Sequence, residues 1–194
     1  MARWIGNYGV VEELGKDDFG TLFRARNPIL DVDVALKVLL PSFLNDYKFL
    51  STLRQEAQLA ADMEHPNLVP VHDFGELQDI IYIAHKFMLG GSLQDLLSSK
   101  GSLDEQTALT IFDQVGQGLD YAHSNGLLHL DINPKKILFD SDGVARLVGT
   151  GFSETLATTD TNTQNEQVQP GSSPAYMAPE VWFGAEVSSA ADIY

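Results

Sequence analysis

The chain has 194 residues, 44% hydrophobic and 20% charged, which is enough apolar material for a buried core. Its 27 acidic residues outnumber 12 basic ones, for a formal net charge of -15, and this excludes a basic footprint for nucleic acid or an anionic membrane. There is no cysteine, so disulfides, thiolate metal sites and a cysteine nucleophile are excluded, and the composition fits a reducing, cytoplasmic setting.

Residues 1–9 lack the long apolar stretch of a signal peptide. Val10 to Leu14 and Thr21 to Arg26 read as strands flanking a glycine-containing turn. Val32 to Leu40, rich in Val and Leu, reads as a third strand that Pro41 ends. Asp46 to Met63 reads as a helix, because Phe49, Leu50, Leu53, Ala57 and Ala60 recur at intervals of three and four. His65-Pro66-Asn67 breaks it. Val69 to Phe74 and Ile80 to Phe87 are two more short apolar strands, giving five strands and one helix in the first 88 residues.

Gly90-Gly91-Ser92 marks a linker in which Ser92 is placed to cap a helix. Asp104 to Ser124 is the longest helical pattern, capped by Ser102 or Asp104. Short strands and turns follow as far as Leu147, with a hairpin signal at Asp140-Ser141-Asp142-Gly143. Residues 153–173 are rich in Thr, Gln, Asn and Ser and read as a mobile loop. Pro179-Glu180 opens a short helix, and Tyr194 lies inside a new apolar-periodic stretch. No repeat is visible, and no apolar run approaches the roughly 20 residues of a membrane span. Strands first and helices after give an α+β fold class.

Several motifs recur in fixed order along this pattern. Leu14-Gly15-Lys16-Asp17-Asp18-Phe19-Gly20-Thr21-Leu22 is a glycine turn between strands. Val34-Ala35-Leu36-Lys37 puts a lysine on the third strand, and Glu56 lies on the helix that follows. Then come His65-Pro66-Asn67-Leu68-Val69, Asp73-Phe74-Gly75-Glu76, His129-Leu130-Asp131-Ile132-Asn133-Pro134, Tyr176-Met177-Ala178-Pro179-Glu180 and Asp192-Ile193-Tyr194. In order and spacing the set resembles a bacterial-type serine/threonine protein kinase domain, from about residue 8 to 194.

The resemblance implies a two-lobed kinase-like fold. Residues 1–89 would form the N-lobe, a five-stranded antiparallel sheet with one helix. Residues 90–194 would form part of a helical C-lobe: catalytic loop, activation segment and the opening of its central helix. It also implies ATP as ligand. A glycine turn lets backbone N–H groups approach phosphate oxygens, which assigns Gly15 and Gly20 to the phosphates. Lys37 would set an ammonium on them, paired to Glu56; the alternative is an ordinary surface ion pair. Leu22, Ala35 and Leu138 would line the adenine slot, and Leu14, at the start of the glycine loop, would be a further nucleotide-binding residue. Asp131 occupies the catalytic-base position, His129 is the family's structural histidine, and His85 falls where the back of the adenine pocket is guarded.

The departures from the family cluster on the metal. Kinases hold magnesium with a D-F-G aspartate and a catalytic-loop asparagine. The corresponding positions here are Gly149, in Gly149-Thr150-Gly151, and Lys136. Glycine has no ligand atom and an ammonium repels Mg²⁺, which takes hard oxygen ligands. The catalytic-loop lysine is Asn133, the arginine before Asp131 is Leu130, and Thr150 replaces an aromatic that packs against the glutamate helix. Asp17 replaces the second glycine of the phosphate loop, and with Asp18 adds negative charge where the triphosphate would lie. The segment from Gly149 to Glu180 carries Thr155, Thr158, Thr159, Thr161 and Thr163, but Glu154, Asp160 and Glu166 make it acidic; it reads as a passive loop. Ser173 and Pro174 resemble the substrate-docking segment.

Three functions follow. The first is a pseudokinase that binds nucleotide, a protein partner, or both, without efficient phosphoryl transfer. Its ATP binding would be magnesium-independent if the Lys136 ammonium took the place of a metal; a solvated loop lysine is the plainer alternative. The second is an active kinase with metal binding rewired through Asp17, Asp18 or Asp131. The third is a truncated, non-functional kinase fragment whose residues 103–194 expose apolar surface.

Overall fold

The computed structural model describes residues 3–17, 19–45, 47–77, 79–149, 174–183 and 185–194. It contains two compact units, Met1–Asp62 with Pro70–Phe87, and Met63–Val69 with Met88–Tyr194. Asp18, Thr150, Ser173 and the threonines from 155 to 163 lie outside the described residues.

In the first unit every alternating apolar stretch forms a strand. They are β1 (Trp4–Ile5), β2 (Tyr8–Asp17), β3 (Gly20–Asn27), β4 (Val32–Leu39), β5 (Val71–Leu77) and β6 (Ile80–Lys86). The strands pair antiparallel in the order β1-β2-β3-β4-β6-β5. Five match the sequence expectation. β1 adds an edge strand of two residues, too short to leave a period-two signal. One face of the sheet carries a core cluster in which Ile5, Tyr8, Phe23, Ala25, Val34, Leu36, Tyr82 and Ala84 are buried together, and the other face buries Ile81 and Ile83. The register of β2 shifts between Val10 and Glu12 and again between Glu13 and Gly15, and such bulges sharpen the local twist.

The helix α1 (Tyr47–Ala61) buries the predicted stripe of Phe49, Leu50, Leu53, Ala57 and Ala60. Arg54 ties it to β5 through the Glu76 carboxylate, with Nη2 donating to Oε2 at 2.8 Å. Beneath the sheet, the hydroxyls of Tyr8 and Tyr82 both donate to Asp73 Oδ2, at 3.2 and 3.1 Å. Burial first, and then the Asp73 charge, push both phenols from 10.0 up to about 12.

The second unit holds α2 (Leu93–Lys100), α3 (Glu105–Ser124), the β7 (Ile137–Phe139) and β8 (Ala145–Leu147) hairpin, and α4 (Pro179–Trp182). Short 3-10 turns cover Pro174–Tyr176 and Ser189–Asp192. Ser92 caps α2 in a reciprocal capping box with Asp95. Asp104, rather than Ser102, caps α3, its carboxylate accepting the Thr107 N–H at 2.9 Å. Ile111, Val115, Leu119 and Ala122 form the buried stripe of α3. Gly118 lies so near residue 67 that a Cβ there would come within 2.8 Å of the Asn67 carbonyl oxygen.

The β7–β8 hairpin turns around Asp140, whose Oδ1 accepts the N–H groups of Asp142 and Val144 while its Oδ2 pairs with Arg146. Leu130, Met177, Ala178, Val181 and Ala191 form a further buried cluster. No helix among the described residues is long and apolar enough to cross a membrane.

Candidate functional site

In the first unit, strand register sets the candidate residues side by side. Gly15 on β2 faces Leu22 on β3, and Leu22 faces Lys37 on β4. Leu22, Ala35 and Lys37 therefore share the sheet face opposite the buried Phe23, Val34 and Leu36. All three are half-buried, while Leu14 is exposed. Glu56 is buried on α1, and His85 is buried on β6.

The two glycines of the turn do different work. A Cβ on Gly20 would meet the Val38 carbonyl oxygen at 1.9 Å, so glycine is needed for β3 to approach β4. No heavy atom lies within 4 Å of where a Cβ on Gly15 would sit, so nothing in the packing demands glycine there.

The residue that sequence reading only half placed is Asp17. Its Oδ1 accepts the N–H groups of Phe19 and Gly20, each at 3.0 Å, and its Oδ2 pairs with the Lys37 ammonium. Burial pushes this carboxyl up, but the Lys37 ammonium and the two amides outweigh it and hold the pKa below the usual 3.8.

In the second unit the catalytic-loop positions converge. Asp131 Oδ1 accepts from Asn133 Nδ2 at 2.9 Å, and its Oδ2 lies 3.4 Å from Lys136 Nζ. Gly149, at φ +95°, brings the position of an added Cβ to 3.6 Å from the same ammonium. The two places where the resemblance expects metal ligands are thus adjacent, and together they offer one ammonium and no oxygen. Leu138 on β7 is half-buried.

His129 is fully buried, and the Asp131 N–H donates to its Nδ1 at 3.2 Å while Val148 O lies 3.0 Å from Nε2. That pattern assigns the proton to Nε2. Burial, and then the Lys136 charge, keep the imidazole below its usual 6.5 and so neutral. It is a structural residue, as the motif implies.

Asp192 stood in the sequence only as part of the Asp192-Ile193-Tyr194 motif, and its contacts to the catalytic loop were not legible there. Its carboxylate has no solvent exposure and accepts the N–H of His129 at 2.8 Å and of Leu130 at 2.5 Å. It also bonds His123 Nε2 at 2.7 Å. Leu130 has φ +58°, a left-handed conformation that is costly for a side-chain-bearing residue. Asp192 holds it there and thereby sets the direction of Asp131. The available signal was a lone acid between Ala191 and Ile193 in an apolar stretch.

Among the described residues, no group of three or more His, Asp or Glu is placed to hold a metal ion. Lys136 and Gly149, at the family's magnesium positions, offer no side-chain oxygen, the ligand type that ion takes. A cavity of about 500 Å³ in the second unit, between α2, α3 and the β7–β8 turn, contains none of the candidate residues.

Residues 8–194, nearly the whole chain, match the profile of the protein kinase domain family. The chain belongs to that family. The serine/threonine-protein kinase PrkC of Bacillus subtilis is 32% identical over 192 residues, covering 99% of this chain and 29% of PrkC. PknJ of Mycobacterium tuberculosis, also a serine/threonine-protein kinase, is 35% identical over 203 residues, covering 96% of this chain and 32% of PknJ. This kinase domain therefore spans less than a third of the length of these curated relatives. The crystal structure of the M. tuberculosis PknI kinase domain superposes with a TM-score of 0.77 at 30% identity, covering 98% of this chain and 71% of that one. The kinase-like α+β fold expected from the motif order is the fold found.

Proposed function

We propose that this kinase-like domain is a pseudokinase, which binds an adenine nucleotide and a protein partner without efficient phosphoryl transfer. One observation carries the reading: the Lys136 ammonium lies 3.4 Å from the retained base Asp131, in the place where a kinase needs oxygen ligands. Phosphoryl transfer relies on positioning and on neutralisation of developing charge by metal. Here the Asp131 carboxylate is engaged by Lys136 and Asn133, and Gly149 contributes no ligand atom.

The binding half of the reading rests on residues that are kept. The first unit keeps the apolar Leu14, Leu22 and Ala35 and the turn glycines Gly15 and Gly20, and the second unit keeps the apolar Leu138. The first unit keeps a cation, Lys37, and the buried Glu56, and the second unit holds in Lys136 a positive charge that needs no magnesium. A module of this kind acts through conformations that a ligand or partner favours unequally. The alternative of an active kinase with rewired metal binding finds less support. Asp17 and Asp131, the two described carboxylates it would use, are already engaged by Lys37 and Lys136.

The test is incorporation of labelled phosphate from ATP into a generic protein substrate, with Mg²⁺ or Mn²⁺, for the wild type and Asp131→Asn. The reading expects equal background from both. Incorporation that disappears in Asp131→Asn would establish an active kinase instead.

A further inference from the structure

The turn between β2 and β3 is built as an anion site, and the anion in it belongs to the chain. Two successive amide N–H groups, from Phe19 and Gly20, converge on one oxygen of Asp17, and the Lys37 ammonium takes the other. Adjacent backbone donors plus a fixed ammonium make the donor set that holds a phosphate oxygen. The Lys37 side chain is 18% exposed and that of Asp17 is 44% exposed, so the carboxylate is the outer member of the pair. The space beside Gly15, in the same cross-strand row as Leu22 and Lys37, is open. A ligand therefore has room at the turn, but an anionic one meets the Asp17 charge first.

We propose that Asp17 is an internal surrogate for phosphate, which makes the nucleotide site selective for a neutral adenosine-type nucleoside over a triphosphate. The choice of base rests on the function proposed above. The anion seat rests only on the geometry of Asp17, Phe19, Gly20 and Lys37. The carboxyl pKa is held below its ordinary value, so the surrogate is ionised at neutral pH. A triphosphate must displace it, giving up three charge-assisted hydrogen bonds to regain similar ones.

Calorimetric titration in EDTA with adenosine, ATP and inorganic pyrophosphate, for the wild type, Asp17→Asn and Asp17→Gly, tests this. The wild type should bind adenosine at least as tightly as ATP and show no pyrophosphate binding. Both variants should gain about tenfold or more in affinity for ATP and pyrophosphate, with adenosine unchanged, because both remove the carboxylate charge that a phosphate would meet, and Asp17→Gly also releases the Phe19 and Gly20 amides. Either variant that keeps the wild-type melting temperature and gains nothing for ATP or pyrophosphate overturns the proposal. So does a wild type that prefers ATP to adenosine. A gain for pyrophosphate in variants that bind no adenosine upholds the internal anion and overturns the nucleotide-site reading instead.

Discussion

Replacing Asp192 with alanine should unfasten the catalytic loop from the buried cluster beneath it. The carboxylate accepts the N–H groups of His129 and Leu130 and has no solvent exposure, so neither amide gains water when it is removed. A buried donor left unsatisfied costs about 1–3 kcal/mol, so the two amides together cost about 2–6 kcal/mol. His123 retains partial exposure and can turn to water, adding little. Leu130 is also held at φ +58°, which costs a non-glycine residue roughly 1–2 kcal/mol, and without Asp192 it is free to relax and swing Asp131 with it. Against the 5–15 kcal/mol typical of a whole domain, this is a large fraction. Asp192→Asn keeps one acceptor oxygen and presents an NH₂ to the other amide, so about half the loss is expected. Urea unfolding gives the free energies, and amide exchange at His129 and Leu130 locates them. Both variants within about 0.5 kcal/mol of wild type, the scatter of surface substitutions, would refute the reasoning. So would unchanged protection of the two amides.

Tyr8 and Tyr82 should make the first unit sensitive to alkali. Their folded pKa of about 12 exceeds the ordinary 10.0, so the folded state keeps protons that the unfolded state releases. The stability they contribute is complete below pH 10 and is lost as the pH rises towards 12. Phenolate absorbance should show two of the six tyrosines titrating late, and two ordinary titrations there would refute the shared Asp73 contact. Gly20→Ala should destabilise by about 1–3 kcal/mol through the Val38 carbonyl, whereas Gly15→Ala should be neutral within about 0.5 kcal/mol. Equal effects in urea would show that the β3–β4 approach is not the constraint.

Local signals made most of the fold legible. The period-two stretches of β2, β3 and β4, the α1 stripe from Phe49 to Ala60 and the Ser92 cap are each written within about ten residues. What escaped the sequence acts over distance. Asp17 and Lys37 are 20 positions apart, and an acid beside a glycine turn does not reveal that it folds back onto the turn's own amides. Asp192 reaches His129 across 63 positions. Lys136 was visible as a misfit at a metal position, because motif spacing fixes that place. Its approach to Asp131 needed the loop itself.

The most direct test of the central claim is the ATP affinity of the wild type measured in Mg²⁺ and in EDTA, beside the Lys136→Asn, Gly149→Asp double variant. If Lys136 takes the place of the metal, the wild type binds equally in both conditions, and only the double variant tightens when Mg²⁺ is added. Wild-type binding that requires Mg²⁺ would contradict the account, and so would a chain that binds neither ATP nor adenosine in either condition.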